Sequence, residues 1–162
     1  MEPVALIEEA AKKAAVAWLS VPDGGPDYLV WTTWIDGALF VVSGPGEQAA
    51  PGLAAAGRIE VSLRGDHGGR IVTWPADVST VDPSGPEWTQ VAPQLAGKRL
   101  NAAGTTDETV QRWASANVMS KLTPAGEPEP LPSSSLVAAP RPTPATRLPK
   151  RPFRLHRVRK PN

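Results

Sequence analysis

The chain has 162 residues, 41% of them hydrophobic and 20% charged, with a net charge of +1, which suits one compact domain with a core of its own. It has no cysteine and only two histidines, His67 and His156, so disulfides, thiol nucleophiles, thiolate metal sites and paired histidine ligands are excluded. No apolar run approaches the ~18 residues that cross a membrane, and an N-terminus with Glu2, Glu8 and Glu9 is no signal peptide; a cytoplasmic location is expected.

Residues 3–14 are strong helix formers, with Pro3 suited to a first turn and Val4, Leu6, Ile7, Ala10 and Ala11 on one side. An apolar run over 15–21, carrying Trp18, predicts a strand that ends at Pro22-Asp23-Gly24-Gly25-Pro26. Residues 28–35 and 38–43 are β-branched and aromatic. Their two-residue link, Asp36-Gly37, predicts a type I′ hairpin, because glycine accepts positive φ without steric cost. Neither strand alternates, so both faces are expected to be buried, the second by a partner subunit or a ligand.

The turn Ser43-Gly44-Pro45-Gly46-Glu47-Gln48 then leads into an expected helix of about two turns over 48–56, stopped by Gly57. Residues 58–64 alternate, with Ile59, Val61 and Leu63 inward. A glycine hairpin over 65–69 precedes a long strand over 70–81, where Pro75 suggests an edge or a bulge. Ser84 and Glu87 have capping-box spacing at the head of a helix reaching at most Gly97, with Pro93 expected to shorten or kink it. A helix over 107–116 and a closing strand over 118–123 follow.

Residues 126–162 hold nine of the 19 prolines, and eight basic side chains against Glu127 and Glu129. The expected division is therefore a domain over 1–125 and a basic, proline-rich, largely disordered tail over 126–162. The tail's charges are spread between prolines, and Phe153 is its only aromatic residue, so a solubilising role is expected before a nucleic-acid one. The elements sum to a mainly β, α+β domain: a small closed antiparallel barrel of about six strands with short helices at its corners.

Four features could carry chemistry. The turn 43–48 could offer backbone N–H groups to a phosphate, or be an ordinary strand-to-helix turn; Glu47 at its mouth opposes an anion. Trp31, Thr32, Thr33 and Trp34 place two indoles and two hydroxyls on one strand, where a flat ligand could lie or a core could pack. Arg64, His67 and Arg70 bracket a turn. Lys98-Arg99 is either an anion contact or a complement to a helix dipole. No serine sits in a nucleophile elbow, and Asp66, Asp77 and Asp82 are too scattered to argue a metal site, so any reaction would need a borrowed cofactor.

The order of elements over roughly residues 4–123, with the Asp36-Gly37 hairpin, the Gly/Ser turn and the segments Gly44–Gln48, Gly69–Trp74 and Gly97–Asn101, resembles the split β-barrel of the pyridoxamine 5′-phosphate oxidase-like family. The resemblance implies a homodimer that binds FMN or a deazaflavin coenzyme at the subunit interface and acts as a flavin-dependent oxidoreductase on a small molecule; the absence of a long apolar run adds the expectation of no membrane partner. It implies that Thr32, Thr33 and Trp34 run beside the ring, that Ser43, Gly44, Gly46 and Gln48 approach the phosphate, and that Ser62 and Arg64 line the same groove. Flavin-binding members usually carry an Arg or Lys pair after the turn, where this chain has Glu47-Gln48. Losing about three charge-assisted hydrogen bonds, each worth roughly 1.5–3 kcal/mol, is a large handicap. The alternative is a non-catalytic split-barrel binding or regulatory module without cofactor.

Overall fold

The computed structural model describes residues 3–22, 25–64 and 71–130. The expected hairpin over 65–69, with His67 and Arg70, and the tail from 131 onward lie outside the described residues. The elements are α1 (Pro3–Lys13), β1 (Val16–Ser20), β2 (Tyr28–Trp31), β3 (Thr33–Ile35), β4 (Ala38–Ser43), a 3-10 turn (Leu53–Ala55), β5 (Arg58–Arg64), β6 (Ile71–Thr80), α2 (Pro86–Lys98), α3 (Thr106–Ala116) and β7 (Val118–Pro124).

The seven strands form one antiparallel sheet in the order β2-β1-β5-β6-β7-β4-β3. Its two outer members, β2 and β3, are halves of a single run broken only at Thr32, so the sheet closes on itself. The first half pairs with β1 and the second with β4. At the break, the Thr32 amide donates to the Ala15 carbonyl at 3.1 Å. Closure through one divided strand removes the exposed edges that a small open sheet would present. The expected single strand over 28–35 is thus two strands, because its halves bond to opposite neighbours.

The Asp36-Gly37 link has φ of 45° and 85°, the pair of positive values a type I′ turn requires. From this turn β4 sends Leu39 and Val41 into the barrel, where they meet Leu19, Val30, Trp34, Val61, Leu63 and Trp74 under the lid of Ile7 and Ala11 from α1. The alternate residues Ala38, Phe40 and Val42 face out, against Trp88, Val91, Leu95 and Trp113 of α2 and α3. The second apolar face of the hairpin is therefore covered by this chain's own helices, not by a partner or ligand. Helices more than 40 residues downstream leave no mark on the local pattern of the strands they cover.

Three local expectations are corrected. No helix of two turns forms over 48–56: Gly52, with φ of 82°, diverts the chain, and only the 3-10 turn over Leu53–Ala55 remains, anchored by buried Leu53. Ser84 does not cap α2. Its amide and hydroxyl both donate to Asp82 Oδ1 (2.9 and 2.8 Å), Gly85 takes the cap position, and Pro86 begins the helix. Pro93 sits within α2, which runs on to Lys98. Its position and that of Thr89, four residues earlier, face solvent, where the freed carbonyl has water as a partner.

Pro75 lies mid-strand in β6, opposite Glu60 of β5. Its carbonyl accepts from the Ala125 amide at 2.8 Å, beyond the regular β6–β7 ladder that begins at Ala76 and Pro124. The missing N–H is thus on the β7 side, just past the end of the regular ladder. Past β7 the Glu129 amide donates to the Thr73 carbonyl at 2.7 Å, so residues 125–129 still follow β6 rather than departing as tail. No described helix is long and apolar enough to cross a membrane.

Candidate functional site

A cleft of about 480 Å³ opens where three pieces of chain meet: the end of α1 with residues 14 and 15, the divided strand at Trp31, Thr32, Thr33 and Trp34, and the end of α2 at Lys98, Arg99 and Leu100. The break at Thr32 creates it, since the strand turns there from one neighbour to the other. The two helices both end at it, so the lysines of their last turns, Lys12, Lys13 and Lys98, gather at its rim. Four cations and no carboxylate line the cleft.

These cations are not equivalent. Lys12 and Lys13 pair with Glu8 and Glu9 one turn back, at 2.6 and 2.7 Å, on exposed surface. Such pairs exchange readily with water or another anion. Lys98 makes no ion pair among the described residues. Arg99 donates from Nε to Glu47 Oε2 at 2.9 Å, and its guanidinium lies 5.6 Å from the centroid of the Trp31 ring. The Thr32 hydroxyl and the Trp31 indole N–H are buried behind the cleft surface without a hydrogen-bond partner.

The turn 43–48 is a different environment. The Gly44 amide donates to the Gln48 carbonyl (3.1 Å) and the Glu47 amide to the Gly44 carbonyl (3.0 Å), so two of its N–H groups are already used. The Asn117 side-chain amide donates to the carbonyls of Ser43 (3.4 Å) and Pro45 (3.0 Å). Gln48 behaves as a strand residue made of side chain: Oε1 accepts from the Trp31 amide at 2.7 Å and Nε2 donates to the Trp31 carbonyl at 2.9 Å. Glu47 points inward, its side chain 1% exposed; it accepts hydrogen bonds from Arg99 and from Trp113 Nε1 at 3.0 Å, and forms a longer ion pair with Arg112 at 3.6 Å. The turn is bonded to its own protein and does not fit a phosphate.

Of the residues singled out in the sequence, the structure brings Thr32, Thr33 and Trp34 to the cleft. Ser43, Gly44, Gly46 and Gln48 stay in the closed turn. Ser62 and Arg64 lie on β5 outside the cleft, with Ser62 Oγ 2.7 Å from Thr73 Oγ1. Lys12, Lys13, Ala15 and Leu100 carried no signal of their own. The clue available was that two basic pairs, Lys12-Lys13 and Lys98-Arg99, each end a helix. Among the described residues, no group of three or more His, Asp or Glu is placed to hold a metal ion.

No protein-family model matches the chain, and no curated protein matches it. Solved structures do. The heme storage protein HutZ from Vibrio cholerae aligns with a TM-score of 0.57 at 16% identity, covering 80% of this chain and 94% of that one. A putative pyridoxamine 5′-phosphate oxidase from Listeria innocua aligns with a TM-score of 0.54 at 12% identity, over 77% and 95%. An F420 reductase aligns with a TM-score of 0.50 at 18% identity, over 74% and 93%. The chain therefore has the split β-barrel fold of the pyridoxamine 5′-phosphate oxidase-like proteins. At these identities the likeness is one of architecture, and the site must be argued from its own residues.

Proposed function

We propose that this protein is a flavin-type binding protein of the split-barrel class, holding FMN or a deazaflavin in the cleft between α1, the Thr32 break and the end of α2, and working as a flavin-dependent oxidoreductase. The observation that carries this reading is the cleft's composition: a wall of aromatic and hydroxyl side chains adjoining four cations with no lining carboxylate. Its volume is within the range of small-molecule sites, about 300–1,000 Å³. The fold shared with an F420 reductase and a putative pyridoxamine 5′-phosphate oxidase supports the choice of ligand.

Trp31, Thr32, Thr33 and Trp34 would flank the ring system, while Lys98 and Arg99 would meet the phosphate. The bound cofactor supplies hydride transfer. This chain's residues supply orientation and exclude water along the buried wall. The protein is further proposed to act as a homodimer. On the outer face of β1 and β2, Val16 (40% exposed), Leu29 (57% exposed) and half-buried Trp18 stand together, an apolar patch suited to a second copy.

Titrating the purified protein into FMN and into the deazaflavin coenzyme tests the reading through quenching of ligand fluorescence. Saturable quenching is expected for one of the two, and its loss in Ala15→Trp, which fills the cleft from an exposed position. A second reading, the non-catalytic module, has its own observation: the turn 43–48 is sealed by Glu47 and Gln48. Colourless protein that leaves both fluorescence signals unchanged at high micromolar concentration selects it.

A further inference from the structure

We infer that Glu47, the carboxylate that in the sequence opposes an anion, is the positioning residue of an anion-reading arginine: it holds Arg99 so that the guanidinium meets the phosphoryl group of a planar ligand in the cleft. The inference rests on the cleft being the ligand site, as proposed above. Glu47 does not line the cleft, and both its oxygens are engaged, Oε2 by Arg99 and Oε1 by Trp113 and Arg112. One carboxylate against two guanidinium groups leaves a positive excess, so the cluster attracts an anion.

Arg99 is 25% exposed and belongs to the cleft wall. Its Nε is held by Glu47 and Nη1 by the Leu100 carbonyl, and its plane is braced by Trp31. Nη2 has no hydrogen-bond partner among the described residues. A long side chain already fixed by the fold loses little further rotamer entropy on binding, and its remaining N–H groups are aimed before the ligand arrives. Lys98, the adjacent residue on the same wall, adds a second charge without an ion pair among the described residues. Lys12 and Lys13 are offset by Glu8 and Glu9, so the anion end of the cleft is at Arg99.

FMN and riboflavin share one ring and differ by the phosphate, so their affinity ratio isolates the anion contact. On wild-type protein FMN is expected to bind about 10- to 100-fold more tightly than riboflavin. Arg99→Gln should lower that ratio several-fold, the loss falling chiefly on FMN, with Lys98 left as the remaining charge. Glu47→Gln should also lower the ratio several-fold, at constant riboflavin affinity, which a merely structural role would not produce. Where Glu47→Gln does not fold, Arg99→Lys decides. A single ammonium cannot hold Glu47 and reach the ligand together, so the ratio should fall there too. A wild-type ratio near one, or a ratio indifferent to Arg99→Gln, overturns the inference and leaves the cofactor reading standing. If neither flavin binds, the cofactor reading fails, and inorganic pyrophosphate followed by tryptophan fluorescence still decides the inference: binding lost in Arg99→Gln upholds it, and absent or Arg99-independent binding overturns it.

Discussion

Glu47 is the residue at which local reading and structure part most clearly. As a letter after Gly46 it is a surface carboxylate at the mouth of a turn. In the fold it is enclosed by Arg99, Arg112 and Trp113, residues 52, 65 and 66 positions away. Removing one partner from a buried ionic cluster strands the others, so Glu47→Ala is expected to destabilise the protein by about 2–4 kcal/mol in urea unfolding, the partly exposed arginines keeping it below the worst case. Glu60 shows the opposite sign. Burial raises its pKa above 4.5, followed by the negative charge of Glu129, a hydrogen bond with that side chain, and Asp27. A raised folded-state pKa contributes stability that is complete below the unfolded value and is lost as pH rises through the folded one. Glu60→Gln, uncharged throughout, should therefore melt higher than wild type near pH 7, and the advantage should vanish below about pH 4.5.

At the scale of elements, caps decided what the helix ends do. Thr105 and Glu108 form a capping box on α3: the Glu108 amide donates to Thr105 Oγ1 (3.3 Å), and the Thr105 amide donates to Glu108 Oε2 (2.7 Å). The same hydrogen bonds hold the Glu108 carboxyl below its usual range. Thr105→Ala should cost about 1 kcal/mol in chemical denaturation. Because α3 carries Trp113 onto Glu47, the change should also appear as altered tryptophan emission. The spacing at Ser84 and Glu87 offered the same motif, yet there Asp82 captures Ser84 and Glu87 turns to Lys121, at 2.5 Å. Two matches to one pattern, one real, differ only in which competing acceptor lies nearby. The strands were more legible. Ile59, Val61 and Leu63 are buried as their alternation requires, and Asp36-Gly37 turns as its residues demand, because both signals depend on neighbours within a few positions.

At the scale of the molecule, the apolar patch of Val16, Trp18 and Leu29 makes the proposed dimer testable. Leu29→Asp is expected to shift the mass measured by light scattering from two chains to one at micromolar concentration, with the far-UV spectrum unchanged. The composition, the alternation over 58–64, the turn residues and the order of the elements were sufficient to specify a small antiparallel barrel with helices at its corners, since these signals sit in neighbouring residues. They could not say that strand 28–35 divides at Thr32, because the division follows from its halves bonding to β1 and β4. Nor could they say that α2 and α3 cover the outer face of the hairpin, or that the ends of α1 and α2 meet beside Trp31. Periodicity records whether a face is buried and is silent on what buries it. The cleft is lined by residues up to 89 positions apart, and only folding brings those together.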